Sequence, residues 1–255
     1  MEKIMTRFRP VVTDFWRLPF DGRLLHQGDE LSVVVNSELE ESERVTVLTM
    51  IDDGRTAVAV RPEVADALAD AFIEGDALGE ESLRARLLTE GIVLHGADNI
   101  YYLAEDAHES VLAEPLPADI RRLGTDDAER FADFQAGISA QDLEDAQVEL
   151  DDWAVLGVLD ADGRILSAGS MYPWEDDCVL ADIGVLTLAD ARGRGHARRL
   201  VRAMCRFALE EGYEPQYRCQ LDNAASNALA GAAGLALFGR WQIVTPEVDE
   251  NGPED

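Results

Sequence analysis

Between residues 179 and 208 the chain reads as a strand, a tight glycine turn and an amphipathic helix, and this segment most narrows what it can fold into. Val185-Leu186-Thr187-Leu188 closes a β-rich run, and Arg192-Gly193-Arg194-Gly195 follows. Ala197, Leu200, Val201, Met204 and Ala208 then fall on one helical face at i, i+3, i+4 spacing. Gly193 and Gly195 carry no side chain, so a ligand can approach their N–H groups closely. A helix N-terminus adds unpaired donors and a partial positive charge. Arg192, Arg194, Arg198, Arg199, Arg202 and Arg206 crowd this stretch of a chain with 51 acidic and 22 basic residues. Together these features read as a cradle for a pyrophosphate-like anion. The competing reading is an ordinary strand-to-helix turn whose arginines pair with an acidic surface. A dinucleotide-binding sheet is less consistent: no complete GxGxxG stands here, and no run of repeating strand–helix units surrounds it.

The flanking pattern suggests two domains and a tail. Residues 31–35 and 45–50 are β-rich, and Asp52-Asp53-Gly54 turns the chain into a further strand at 56–60, a hairpin signature. Pro62 is placed to start a helix that continues through Val64, Leu68 and Phe72, and a second helix is expected over 80–89, ending at Gly91. Residues 92–94 and 101–103 offer short strands. Trp16, Phe20, Tyr101 and Tyr102 read as core aromatics. Glu114-Pro115-Leu116-Pro117 reads as a linker, which puts an α+β domain of unassigned role at 1–116 and a second domain at 117–246. In the second domain a strand is expected at 120–123 and helices at 126–137 and 140–150. Strands follow at 153–159, 165–171 and 179–188, then the long helix, a strand at 216–221, an Ala-rich helix and a last strand around 241–244. The fold class expected is α/β (α+β): a mixed, mostly antiparallel sheet flanked by helices, preceded by the smaller α+β domain. Residues 247–255 read as an acidic tail.

Charge limits the partners. The net charge of −29 repels nucleic acid phosphates and anionic lipids, so neither is expected as a partner. Lys3 is the only lysine. An acidic, lysine-poor surface stays hydrated at high salt, which points to a salt-loving source; a GC-rich genome would also favour Arg over Lys. Cys178, Cys205 and Cys219 form no CxxC pair and His26, His95, His108 and His196 are dispersed, so no metal site is expected. No apolar run reaches the roughly 18 residues of a membrane helix, and none like a signal peptide follows the first residues. The expected location is cytoplasmic.

The glycine turn resembles the main cofactor motif of the GNAT N-acetyltransferase superfamily, Gln/Arg-x-x-Gly-x-Gly/Ala, matched by Arg192, Gly195 and Ala197. Asp222-Asn223-Ala224-Ala225-Ser226-Asn227-Ala228-Leu229 resembles the second family motif, an Asn-x-x-Ser/Ala run opening a helix, and Gly234-Leu235 stands where the family usually has Gly-Phe. The order of elements from residue 120 to 244 is similar as well. This resemblance implies a GNAT-like sheet and acetyl-CoA as co-substrate. It assigns the backbone of Val185, Leu186 and Thr187 to the pantetheine arm and the acetyl carbonyl. The backbone of Gly193, Arg194, Gly195, His196, Ala197 and Arg198, after Arg192, would hold the pyrophosphate, and Asn223 would touch the cofactor arm. Thr187 also reads as a plain β-former, and Asn223 as a helix N-cap.

The catalytic groups are less well matched. The family's usual Tyr after the Leu of the second motif, the general acid, is Ala230 here. The positions nearest the usual Glu base are Ala181 and Arg218, and neither can serve. Asp182 is the remaining candidate, although strand alternation points it to the opposite face. Tyr217 and Cys219 read as core residues on one strand face. The acidic loop Trp174-Glu175-Asp176-Asp177 reads as a solvated turn that could also attract a cationic amine. The function implied is acetyl transfer to an amine, on a small molecule or a protein. The alternative is a non-catalytic acyl-CoA-binding or regulatory module. Acetyl-CoA and an unidentified amine acceptor are the expected partners, and a homodimer stays open.

Overall fold

The computed structural model describes residues 7–68, 79–174 and 178–245. These divide into two compact units: residues up to Thr13 with Ile100–Leu237, and Asp14–Asn99 with the residues from Phe238 on. The expected division at residue 116 does not coincide with this one. Packing is the reason: Tyr101, Leu103 and Val111 lie in the same core as the long helix, so the chain before the linker groups with the chain after it. Expectations for Phe72, for Glu175-Asp176-Asp177 and for the tail at 247–255 lie outside the described residues.

Helix α1 (Pro10–Arg17) has no counterpart in the sequence reading; a proline opens it, as suits a first helical turn. In the second unit come β1 (Arg23–Gln27), β2 (Leu31–Val35), β3 (Val45–Met50), β4 (Thr56–Val60), α2 (Pro62–Ala67) and α3 (Glu80–Thr89). The hairpin forms where expected, with β3 antiparallel to β4, while β2 runs parallel to β4. Their alternating Val and Leu side chains meet Val64, Leu68, Leu83 and Leu87 in one core. Trp16 is buried, with its ring against those of Phe238 and Trp241. The strand expected at 92–94 is absent: Leu94 makes a single bridge to Val244.

The first unit runs from Ile100 of β5 (Asp98–Leu103) through α4 (His108–Ala113), β6 (Ile120–Arg122), α5 (Ala128–Ala136), α6 (Ala140–Ala146), β7 (Ala154–Leu159), β8 (Ile165–Pro173), β9 (Leu180–Thr187), α7 (His196–Glu210), β10 (Glu214–Gln220) and α8 (Ala224–Ala232) to Leu237 of β11 (Leu235–Ile243). Strands β6 to β9 pair antiparallel in chain order, and β10 joins β9 in parallel. The mixed, mostly antiparallel sheet is therefore as expected. Helix α7 buries Leu200, Val201, Met204, Cys205 and Ala208 with Ala154, Met171, Ala181 and Ile183. A second cluster gathers Phe131 and Phe134 of α5, Val148, Ile165, Ala168 and Leu186. Helix α6 ends four residues short of the expected 150, because Gln147 turns left-handed at φ +46°. Burial pushes the Cys205 thiol up to about 12, as suits an inert core residue.

Candidate functional site

The site begins where two parallel strands part. Strands β9 and β10 pair at Glu214↔Leu180, Pro215↔Ala181 and Gln216↔Asp182, and no further. Strand β9 continues along β8 as far as Ser167↔Thr187, and β10 continues to Gln220. A fork therefore opens beyond Asp182 and Gln216. The Trp174 N–H donates to the Leu180 carbonyl at 2.9 Å, and the Leu188 N–H to the Leu166 carbonyl at 3.0 Å. Even-numbered residues of β9 thus turn their backbone groups toward β8, and Val185 and Thr187 turn theirs toward the fork. The Thr187 carbonyl accepts from Arg192 Nε at 3.2 Å. The Val185 N–H faces the fork beyond the last β9–β10 pair.

The turn after β9 supplies the second half. Gly193 and Gly195 sit at φ +73° and +79°, a left-handed conformation that side chains other than glycine rarely take. A Cβ on Gly193 would meet nothing within 4 Å, so conformation rather than crowding calls for glycine there, and the space above the turn is open. Gly195 caps α7 without a side chain. The first N–H groups of the helix have no partner within it and face that space. All eleven residues expected to hold the cofactor line one cleft of about 710 Å³: Val185, Leu186, Thr187, Arg192, Gly193, Arg194, Gly195, His196, Ala197, Arg198 and Asn223.

The six arginines divide between the two readings open to them. Arg192 pairs with Asp142 at 2.9 Å, Arg199 with Asp119 at 2.7 Å, Arg202 with Glu114, and Arg206 with Glu210 at 2.8 Å. Arg194 and Arg198 are exposed on the cleft and make no ion pair among the described residues. Asn223 is the N-cap of α8: its Oδ1 accepts from the Ser226 N–H at 3.0 Å, and the residue lines the cleft as well.

Sequence reasoning missed Tyr217. It is 3% exposed and packs in the α7 core, yet it also lines the cleft. Burial pushes its phenol up to about 12, so it stays neutral. Its position on β10, one residue past the last pair with β9, is what exposes it to the fork, and no local pattern announces that.

Asp182 is placed otherwise. It is 6% exposed, outside the residues lining the cleft, on the sheet face opposite Ala181 and Ile183. Gln216 Nε2 donates to it at 3.0 Å and Arg218 Nη2 at 3.0 Å, and the Arg218 guanidinium stacks 4.0 Å above the Trp174 ring. Gln216 in turn accepts from the Tyr102 hydroxyl. The carboxylate therefore ties β9 to β10 at the last pair before they part, and its oxygens are already filled by donors. Asp182, the candidate for a base, is not among the residues that line the cleft. Ala230 is fully buried in the core and presents no proton donor. Among the described residues no cluster of His, Cys, Asp or Glu could hold a metal ion, and no helix is long and apolar enough to cross a membrane.

Residues 122–235 match the sequence profile of the Acetyltransferase (GNAT) family. Among solved structures the chain is similar to a GNAT-family acetyltransferase from Colwellia psychrerythraea, with 18% identity, 78% of this chain and 81% of the other covered, and a TM-score of 0.48. It is also similar to an N-acetyltransferase from Sphaerobacter thermophilus, at 14% identity, 87% and 74% coverage and a TM-score of 0.46. An aminoglycoside N-acetyltransferase in complex with CoA aligns at 23% identity, over 47% of this chain and 92% of the other, with a TM-score of 0.36. No curated protein matches the chain.

Proposed function

We propose that this chain, whose residues 122–235 match the Acetyltransferase (GNAT) family, transfers an acetyl group from acetyl-CoA to an amine, on a small molecule or a protein, in the cleft at the β9–β10 fork. One observation carries the reading: an unpaired strand edge, two left-handed glycines and the start of α7 line the same cleft. The N–H groups from Gly193 to Arg198 hold the pyrophosphate, with Arg194 and Arg198 supplying unpaired charge. The free edge at Val185 and Thr187, on either side of Leu186, pairs with the amides of the pantetheine arm, as another strand would. Asn223, its Oδ1 spent on the cap, contacts the arm from the other side of the fork.

The chemistry follows from that placement. The neutral amine nitrogen attacks the thioester carbonyl and forms the C–N bond, and the carbonyl electron pair moves onto oxygen. The Val185 N–H faces that oxygen and stabilises the charge as it develops. Collapse breaks the C–S bond, and the sulfur leaves with the electron pair. The proton released by the amine nitrogen passes to water or to the sulfur. A thiol of pKa about 8.5 leaves tolerably well without a dedicated acid, so Ala230 slows this step without forbidding it. The same reading takes the acidic, lysine-poor composition as an adaptation to high salt.

The test is thermal unfolding of the full chain in molar salt, with and without acetyl-CoA. Ligand at about 100 times its dissociation constant adds roughly 2.7 kcal/mol, a rise of several degrees for a chain of this size. The rise is expected in the wild type and lost in Gly195→Val, where a side chain would sit at a left-handed position. Amine-dependent release of free thiol would then identify the acceptor. No rise at saturating acetyl-CoA overturns the proposal.

A further inference from the structure

His196 opens α7 and lines the cleft. Its Nδ1 lies 3.1 Å from Arg199 Nη2. A guanidinium only donates, so Nδ1 must accept, and the single ring proton of the neutral imidazole sits on Nε2. Arg199 is itself held by two hydrogen bonds to Asp119, Nη1 to Oδ1 at 2.7 Å and Nη2 to Oδ2 at 2.8 Å. The two hydrogens of Nη2 thus serve Asp119 and His196, one each. The Arg199 guanidinium also holds the Asp119 carboxyl below its usual range, which keeps the pair charged. Among the described residues Nε2 has no hydrogen-bond partner, and it sits at the end of the ring away from Arg199.

We propose that Asp119 and Arg199 are positioning residues that fix His196 as the Nε2–H tautomer, and that this N–H donates a hydrogen bond to a phosphate oxygen of the bound acyl-CoA. The inference rests on the cofactor reading above. Charge in the cradle comes from Arg194 and Arg198, and His196 adds direction without charge. The phosphate is either the pyrophosphate or the 3′-phosphate, which present the same oxygen chemistry.

The experiment is calorimetric titration of the full-length wild type, His196→Ala, Arg199→Leu and Arg199→Lys with acetyl-CoA and with acetyl-3′-dephospho-CoA, after melts confirm that each is folded. His196→Ala is expected to bind acetyl-CoA about tenfold more weakly, as for the loss of one hydrogen bond to a charged group. Arg199→Leu should reproduce most of that loss, and Arg199→Lys, which keeps a donor beside Nδ1, should restore affinity. Imidazole nitrogen NMR should show the Nε2–H tautomer in the wild type and a mixture in Arg199→Leu. A His196→Ala effect kept with the dephospho ligand assigns the pyrophosphate; one seen only with acetyl-CoA assigns the 3′-phosphate. Either supports the proposal. Affinity within twofold in His196→Ala overturns it, as does an unchanged tautomer and affinity in Arg199→Leu. A wild type that binds no acetyl-CoA overturns the cofactor reading itself.

Discussion

Asp127 shows how much one carboxylate can depend on its neighbours. It is buried, accepts from Arg121 at 2.8 and 2.6 Å and from Arg130 at 3.2 Å, and takes the Gly124 N–H at 3.2 Å. These bonds, that of Arg121 first, hold its carboxyl well below the usual carboxylate range. A folded-state value below the unfolded one contributes stability that is fully present above the unfolded pKa of about 3.9 and lost as pH falls further. Asp127→Asn is expected to cost about 1–3 kcal/mol at pH 7 and to flatten the loss of stability below about pH 4; urea unfolding at pH 7 and pH 3 reads both. An unchanged acid limb would assign that sensitivity to other carboxylates. At this same scale the glycines of the turn were legible in the sequence, because a left-handed backbone selects glycine locally. Asn223 was legible as a cap, which it is, and it also lines the cleft. Asp182 was legible only as a carboxylate near the right strand; its engagement with Arg218 and Gln216 depends on a strand 34 residues away.

At the scale of elements, α7 carries the domain. Its apolar stripe was readable from i, i+3, i+4 spacing, and Leu200 lies at its centre, fully buried. Leu200→Ala is expected to lower stability by about 2–5 kcal/mol, through lost transfer energy and the cavity left behind. Denaturant unfolding with an unchanged m-value would confirm it, and a cost below 1 kcal/mol would mean that the core collapses around the gap. The polar side of the same helix was not readable. Arg199 and Arg202 reach Asp119 and Glu114, 80 and 88 residues away, and nothing in the local pattern separates them from Arg194 and Arg198. Ends of elements suffered likewise. Residues 92–94 have the β-branched and apolar character of a strand, yet only Leu94 bridges to another segment.

For the whole molecule, the net charge of −29 makes self-repulsion a standing cost. Raising ionic strength from 0.1 to 1 M shortens the screening length from about 10 to about 3 Å, which relieves repulsion between exposed carboxylates more than it weakens close ion pairs. The melting temperature is therefore expected to rise by several degrees from 0.1 to 1 M NaCl; a fall would show that the surface ion pairs outweigh the repulsion. Composition alone determined that property. The sequence by itself also determined the strand–turn–helix unit, the glycine conformations and the apolar face of α7, because propensity, periodicity and φ preference act over a few neighbouring residues. Only the tertiary structure decided that β9 and β10 part after Asp182 and Gln216, that Tyr217 reaches the cleft, which arginines stay unpaired, and that Asp119 and Arg199 set the His196 ring. Those outcomes depend on which segments, far apart in the chain, come to lie side by side, and a local pattern carries no record of its distant partners.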